Sequence, residues 1–210
     1  MTAATLTYAT LVTDTIKYAE RSNDDEFIEQ VPRLIMNAED WLSREVKGLG
    51  VLEIATGALV AGNPILVKPT RWRETSYMKI SAGGTTTVVK LRTLTYCQQF
   101  WPESDQMDRP MFYADYDYDH FFFAATPDTA YSLEMGYYEK PEPLCDANQS
   151  NWISTYAPTA LLYAVFAEAQ LFLKNYDKVN DLRSTSLASV GNIVQENRSR
   201  TSDNSGNKEA

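Results

Sequence analysis

The apolar residues change their spacing twice along this chain, and that constrains the fold more than any single motif does. Up to residue 47 they recur every three to four positions. From 48 to 145 they fall in short β-branched and aromatic runs cut by Gly and Pro, and after Asn151 the helical spacing returns. The pattern predicts an α+β protein: an α-helical bundle built from both ends of the chain, with a central antiparallel β-rich domain and an extended C-terminal tail. The boundaries are N-terminal helices of the bundle at 1–47, the β-rich insertion at 48–145, C-terminal helices at 146–197 and a flexible tail at 198–210. With 44% hydrophobic residues in 210, the chain has enough apolar surface for a real core.

Within the first segment, Leu6, Ala9, Val12, Ile16 and Ala19 form one stripe of a helix over 3–21. Ser22 with Asp25, and Asn23 with Glu26, have capping-box spacing and predict the start of a second helix. That helix aligns Phe27, Val31, Leu34, Ile35, Ala38, Trp41 and Leu42, with Pro32 inside it as an expected kink. In the middle segment, turns are expected at Ala61-Gly62-Asn63-Pro64 and Ala82-Gly83-Gly84, and strands at 86–94, 121–123 and 131–138. A short helix is expected at 95–101, ended by Pro102. Connections this short favour antiparallel pairing and roughly five to seven strands. After Pro158, which suits a first helical turn, Leu161, Leu162, Val165, Phe166, Ala169, Phe172 and Leu173 make a face broad enough for contacts on several sides. Asn175 would close that helix and Asp177 cap the next. Leu182, Val190, Ile193 and Val194 continue a weaker stripe.

Several function classes lack the residues they need. A net charge of −9 argues against a sequence-independent grip on nucleic acid, which requires clustered Lys and Arg. Cys97 and Cys145 are too few for a disulfide framework and read as free thiols in a reducing compartment. No signal peptide or membrane span is visible. Asp115, Asp117 and Asp119 alternate like the start of a calcium loop, but His120 stands where that loop needs Gly and Thr126 where it needs Glu. The segment therefore reads as a solvated hairpin tip, with no metal site. His120 is the only histidine, and no serine or cysteine beside it has a nucleophile's setting. Asp115, Asp117, Asp119, Asp128 and Glu134 are the candidates for a paired-carboxylate glycosidase. No catalytic residue, cofactor or metal ligand is assigned.

An ordered set of short elements carries a more specific signal. It runs Phe27-Ile28-Glu29-Gln30-Val31-Pro32-Arg33-Leu34-Ile35, Ala38-Glu39, Arg109-Pro110-Met111-Phe112-Tyr113-Ala114 and Ala125-Thr126-Pro127-Asp128-Thr129-Ala130-Tyr131. It continues through Gly136-Tyr137-Tyr138, Pro141, Leu144, Asn151-Trp152-Ile153, Ala157-Pro158, Leu161-Leu162-Tyr163-Ala164 and Ala167-Glu168-Ala169. In this order the chain resembles the head-to-tail adaptor proteins of tailed bacteriophages, also called head-completion or connector proteins, from about Leu6 to about Val194. The stretch from Leu49 to Ile65 has no residue-by-residue counterpart.

The resemblance implies a structural virion protein made in the host cytoplasm and placed at the head–tail interface. It implies a ring, usually dodecameric, between the portal protein and the tail or nozzle proteins, extending a channel through which double-stranded DNA passes without specific binding. No membrane and no enzymatic activity are implied. The portal-binding segment would be the tail: Arg198, Ser199, Arg200, Thr201, Ser202, Asp203, Asn204, Ser205, Gly206, Asn207, Lys208, Glu209 and Ala210. Other readings are a different ring, tube or tail-completion protein of the virion, a carbohydrate-active tail enzyme using the carboxylates above, and a small-ligand or protein-binding module unrelated to phage.

Overall fold

A computed structural model describes residues 6–45 and 52–201. The protein is α+β and divides into two compact units, one from Met1–Val51 with Pro141–Ala210, the other from Leu52–Lys140. The described helices are α1 (Tyr8–Tyr18), α2 (Asp25–Glu45), α3 (Leu94–Phe100), α4 (Trp152–Tyr156), α5 (Pro158–Phe172) and α6 (Tyr176–Thr201). The strands are β1 (Leu52–Leu59), β2 (Ile65–Val67), β3 (Trp72–Ala82), β4 (Thr85–Val88), β5 (Lys90–Leu91), β6 (Met107–Asp108), β7 (Phe112–Asp115), β8 (His120–Ala124), β9 (Thr126–Pro127) and β10 (Tyr131–Glu139).

In the helical unit, α1 starts at a reciprocal cap. The Thr7 hydroxyl accepts from Thr10 N at 3.2 Å, and Thr10 Oγ1 accepts from Thr7 N at 2.9 Å. Its buried face is Tyr8, Leu11 and Thr15, with Val12, Ile16 and Ala19 half-buried and Ala9 exposed, so the expected stripe is offset. Thr15 can join the core because its hydroxyl donates to Leu11 O at 2.7 Å inside the helix. The helix closes with Arg21 N on Ile16 O and Glu20 at φ +56. The next cap is Asp24, whose carboxylate accepts from Phe27 N at 3.1 Å. Ser22 and Asn23, expected as caps, are consumed by the intervening turn.

Helix α2 runs through Pro32 and buries Phe27, Val31, Leu34, Ile35, Ala38 and Leu42, the face its spacing predicts, with Trp41 half-buried beside it. Pro158 is the first residue of α5. The breadth of α5 is used within its own unit, since it packs against α1, α2, α4 and α6. Ser186 of α6 is fully buried and donates to Ala160 O at 2.7 Å, where two small residues let the helices approach closely. The α5–α6 corner turns on Lys174 at φ +63, with Asn175 N on Gln170 O at 2.9 Å, and Asp177 lies within the first turn of α6. That helix continues to Thr201, so the expected tail boundary at Arg198 falls inside a helix. The remainder of the expected tail, 202–210, lies outside the described residues.

The β unit has two four-stranded sheets, ordered β1-β10-β3-β4 and β2-β8-β7-β5, and a small β6-β9 pair. The long pairings are antiparallel, and the two parallel pairs join only two residues each. Strand β10 alternates Tyr131, Leu133, Met135 and Tyr137 into a core shared with Met78, Ile80, Tyr113, Phe121 and Phe123. The strand expected over 86–94 is broken: Val89 separates β4 from β5, and the two pieces belong to different sheets. It stops early because Thr93 serves as the N-cap of α3, accepting from Tyr96 N at 3.2 Å. Such cutting into short pieces is why more strands form than the pattern suggests.

Candidate interaction surface

Four of the five carboxylates proposed for hydrolysis are each held by donors of their own. Asp117 caps the β7–β8 hairpin, accepting from the backbone of Asp119 and His120 at 2.8 Å and from His120 Nδ1 at 2.9 Å. The His120 contact, helped by those backbone donors, holds its carboxyl below the usual range. Asp115 lies 3.3 Å from the buried Lys68 Nζ, which also donates to Asp117 O at 2.7 Å and sits over the Trp72 ring. Asp119 is exposed on the same tip. Asp128 accepts from Tyr131 Oη at 2.6 Å. Glu134 is bound by Lys79 Nζ at 2.8 Å and Tyr77 Oη at 2.9 Å, which lower its pKa in that order.

A glycosidase needs one carboxyl held protonated by burial, with its pKa raised. Asp117 and Glu134 are shifted the other way. Among the described residues no group of three or more His, Cys, Asp or Glu is placed to hold a metal ion. Cys97 is buried and Cys145 exposed, both as free thiols, and burial pushes the Cys97 thiol up, away from nucleophilic reactivity. No described helix is long and apolar enough to cross a membrane.

The elements that carry the family resemblance do meet in space. In the helical unit, the buried Glu39 carboxylate accepts from Leu144 N at 3.0 Å and from the Asn151 side-chain amide, tying α2 to the segment that leads into α4. In the β unit, Arg109 lies over the Tyr131 ring and its Nη1 donates to Thr87 Oγ1, while Tyr131 bonds Asp128. These contacts hold chain passages together, a scaffold role rather than a chemical one.

Large apolar side chains are also available for contact. Tyr96 and Phe100, one turn apart on α3, pack edge-on against Phe112 at 5.4 and 4.9 Å, and Arg92 lies over both Tyr96 and Phe112. Both rings stay about two-fifths exposed beside the exposed Leu91 and Met111. At the β7–β8 tip, Tyr118 is 93% exposed. In the helical unit a shallow groove of about 270 Å³ runs beside Tyr18, Phe166 and Leu182. The sequence reading missed the α3 cluster. Its signal was there in two aromatics at i, i+4 on a helix too short to bury both. Of the expected portal segment, the backbone of residues 198–201 is helical, and the rest falls outside the described residues.

The sequence profile of one known family, described as SU10 adaptor protein, matches residues 6–207. No curated protein matches the chain significantly.

Proposed function

Because the chain belongs to the SU10 adaptor protein family, we propose that it is a head-to-tail adaptor of a tailed bacteriophage: a structural subunit that joins the portal to the tail or nozzle. The observation that carries this reading is the extent of the match, which covers both units and nearly the whole chain. Copies of the protein assemble as a ring, dodecameric by the resemblance, and the ring extends the DNA channel. The segment Arg198–Ala210 docks on the portal. An acidic chain suits a channel wall that must let DNA slide, because like charges repel.

The apolar groups left exposed fit assembly better than catalysis. Most of them lie in the β unit, and the contacts of Asp117 and Glu134 favour the charged form of those two carboxyls. The test is the mass, by light scattering, of this protein co-expressed with the portal protein of the same genome. A ring's worth of added copies, lost on deleting 198–210, supports both the adaptor role and the tail's part in it. An unchanged portal mass with this chain eluting as a monomer overturns them.

A further inference from the structure

We infer that neighbouring copies join through the two open flanks of the β unit, with β1 of one copy adding antiparallel to β4 of the next. The inference rests on the ring proposed above and specifies the contact that builds it. In the larger sheet the order β1-β10-β3-β4 leaves β1 and β4 at opposite edges, each paired on one side only. Among the described residues the backbone of Leu52–Leu59 and Thr85–Val88 makes no other hydrogen bond. An unpaired strand edge is a template for another chain. Proteins that must stay monomeric blunt such edges with charge, proline or a covering element. Here β1 carries one charge in eight residues and β4 carries none in four.

Both flanks are continuous through the two sheets. The segment 52–67 supplies β1 to one sheet and β2 to the other, and 85–91 supplies β4 and β5 on the opposite side. Ile54, Val60 and Val67 are exposed on the first flank, Val88 and Leu91 on the second. The charges are complementary. The stretch 52–67 contains Glu53 and no Lys or Arg, while 85–92 contains Lys90 and Arg92 and no Asp or Glu.

Strand direction fits a second copy in head-to-tail register as the occupant. Every pairing in this sheet is antiparallel, so the four strands alternate in direction and β4 runs opposite to β1. A copy related by rotation about an axis along the strands presents its β1 to β4 with the alternation unbroken. Contacts of this heterologous kind close into rings when the rotation permits.

Disulfide trapping tests the pairing in the full chain carrying Cys145→Ser. Ile54, Thr56 and Ala58 share one face of β1, and Thr86 and Val88 share the same face of β4. The six double-cysteine combinations are oxidised after co-expression with the portal. Within one copy β1 and β4 are separated by β10 and β3, about 14 Å at the usual strand spacing. That exceeds the ~7 Å Cα limit of a disulfide, so any bond joins two copies. At least one combination is expected to give a ladder of covalent oligomers on a denaturing gel, absent from the single-cysteine variants. Dimers from a β1 cysteine alone would overturn the inference in favour of a two-fold β1–β1 contact. No ladder from any combination, while light scattering still finds a ring on the portal, sinks this contact and leaves the adaptor reading standing. A ladder without portal binding keeps the contact and removes the adaptor reading. Neither ladder nor ring removes both.

Discussion

The two units of this protein handle apolar surface in opposite ways. The helical unit encloses it. Helix α5 packs against α1, α2, α4 and α6, and several polar groups buried alongside have partners: Thr15 on Leu11, Ser186 on Ala160, Glu39 on Leu144 and Asn151. The β unit has its own core around Phe121 and Phe123, yet it holds most of the large apolar side chains that stay exposed, from Ile54 to Tyr118. A helix satisfies its backbone internally, so a bundle can finish its hydrogen bonding alone. An open sheet cannot, because each edge strand leaves donors and acceptors unmatched. The difference is that the β unit keeps open strand edges, whereas the helical unit has none to leave open among the described residues.

The strongest way to test that contrast is to open each core in turn. Phe27 is fully buried and packs against Phe172, and Phe27→Ala is expected to destabilise the helical unit by about 3–5 kcal/mol. Phe123→Ala is expected to do the same in the β unit. Denaturant titrations followed by far-UV circular dichroism should show each variant moving chiefly one unit's transition. A single transition shifted equally by both would mean that the units stabilise one another.

A smaller loss is expected at Glu39, which accepts hydrogen bonds from Leu144 N and the Asn151 amide. Removing the carboxylate in Glu39→Ala leaves the buried Leu144 N without this acceptor, while the half-buried Asn151 amide keeps Glu142 O, costing about 1–3 kcal/mol. Glu39→Gln keeps one acceptor oxygen and should recover part of that loss. Equal losses in the two variants would show that packing, rather than hydrogen bonding, holds this joint.

Smaller again is the effect of a methyl group on the β unit. A Cβ on Gly136 would lie 2.3 Å from the Tyr77 ring, which covers this glycine and reaches on to Glu134. Gly136→Ala should therefore cost about 1 kcal/mol, near the low end for overpacking, because an aromatic ring can swing aside. The same substitution in a Tyr77→Ala background should cost less. If both backgrounds lose the same amount, the strain lies in the backbone and not in the ring.

The helices were legible in the sequence because each apolar face has a single use. Phe27 to Leu42 lie at core spacing and do face the core. Where the reading slipped, a residue had two uses. Thr93 is β-branched and reads as strand, but its hydroxyl is worth more as the cap of α3. Ser22 and Asn23 have capping chemistry, yet a turn that needs Glu20 at positive φ places Asp24 at the helix start instead. The breadth of α5 suggested contacts on several sides, and within its own unit it packs against α1, α2, α4 and α6. The open flanks were beyond the pattern altogether. Which strand lies at an edge depends on pairing between residues as far apart as Leu59 and Tyr131, and local spacing carries no record of that.

The smallest expected effect concerns the polar face of the larger sheet, where Lys79 and Tyr77 both bind Glu134. These donors lower the Glu134 pKa below its usual 4.5, so folding favours the charged carboxylate. A depressed carboxyl contributes stability that is present above the unfolded pKa and lost as pH falls through the folded one. The loss should therefore begin near pH 4.5 and deepen below it, with no change between pH 6 and 8 from this group. The effect is shallow because both charged side chains reach solvent, where water and salt screen the pair. Glu134→Gln removes the titration while keeping a similar shape. Comparing melting temperatures of the two proteins from pH 3 to 7 isolates the term, since the other carboxylates titrate alike in both. The gap between the curves should narrow as the pH falls and should shrink with added salt. A gap that stays constant across the range would show that Glu134 acts through its shape on the sheet and not through its charge.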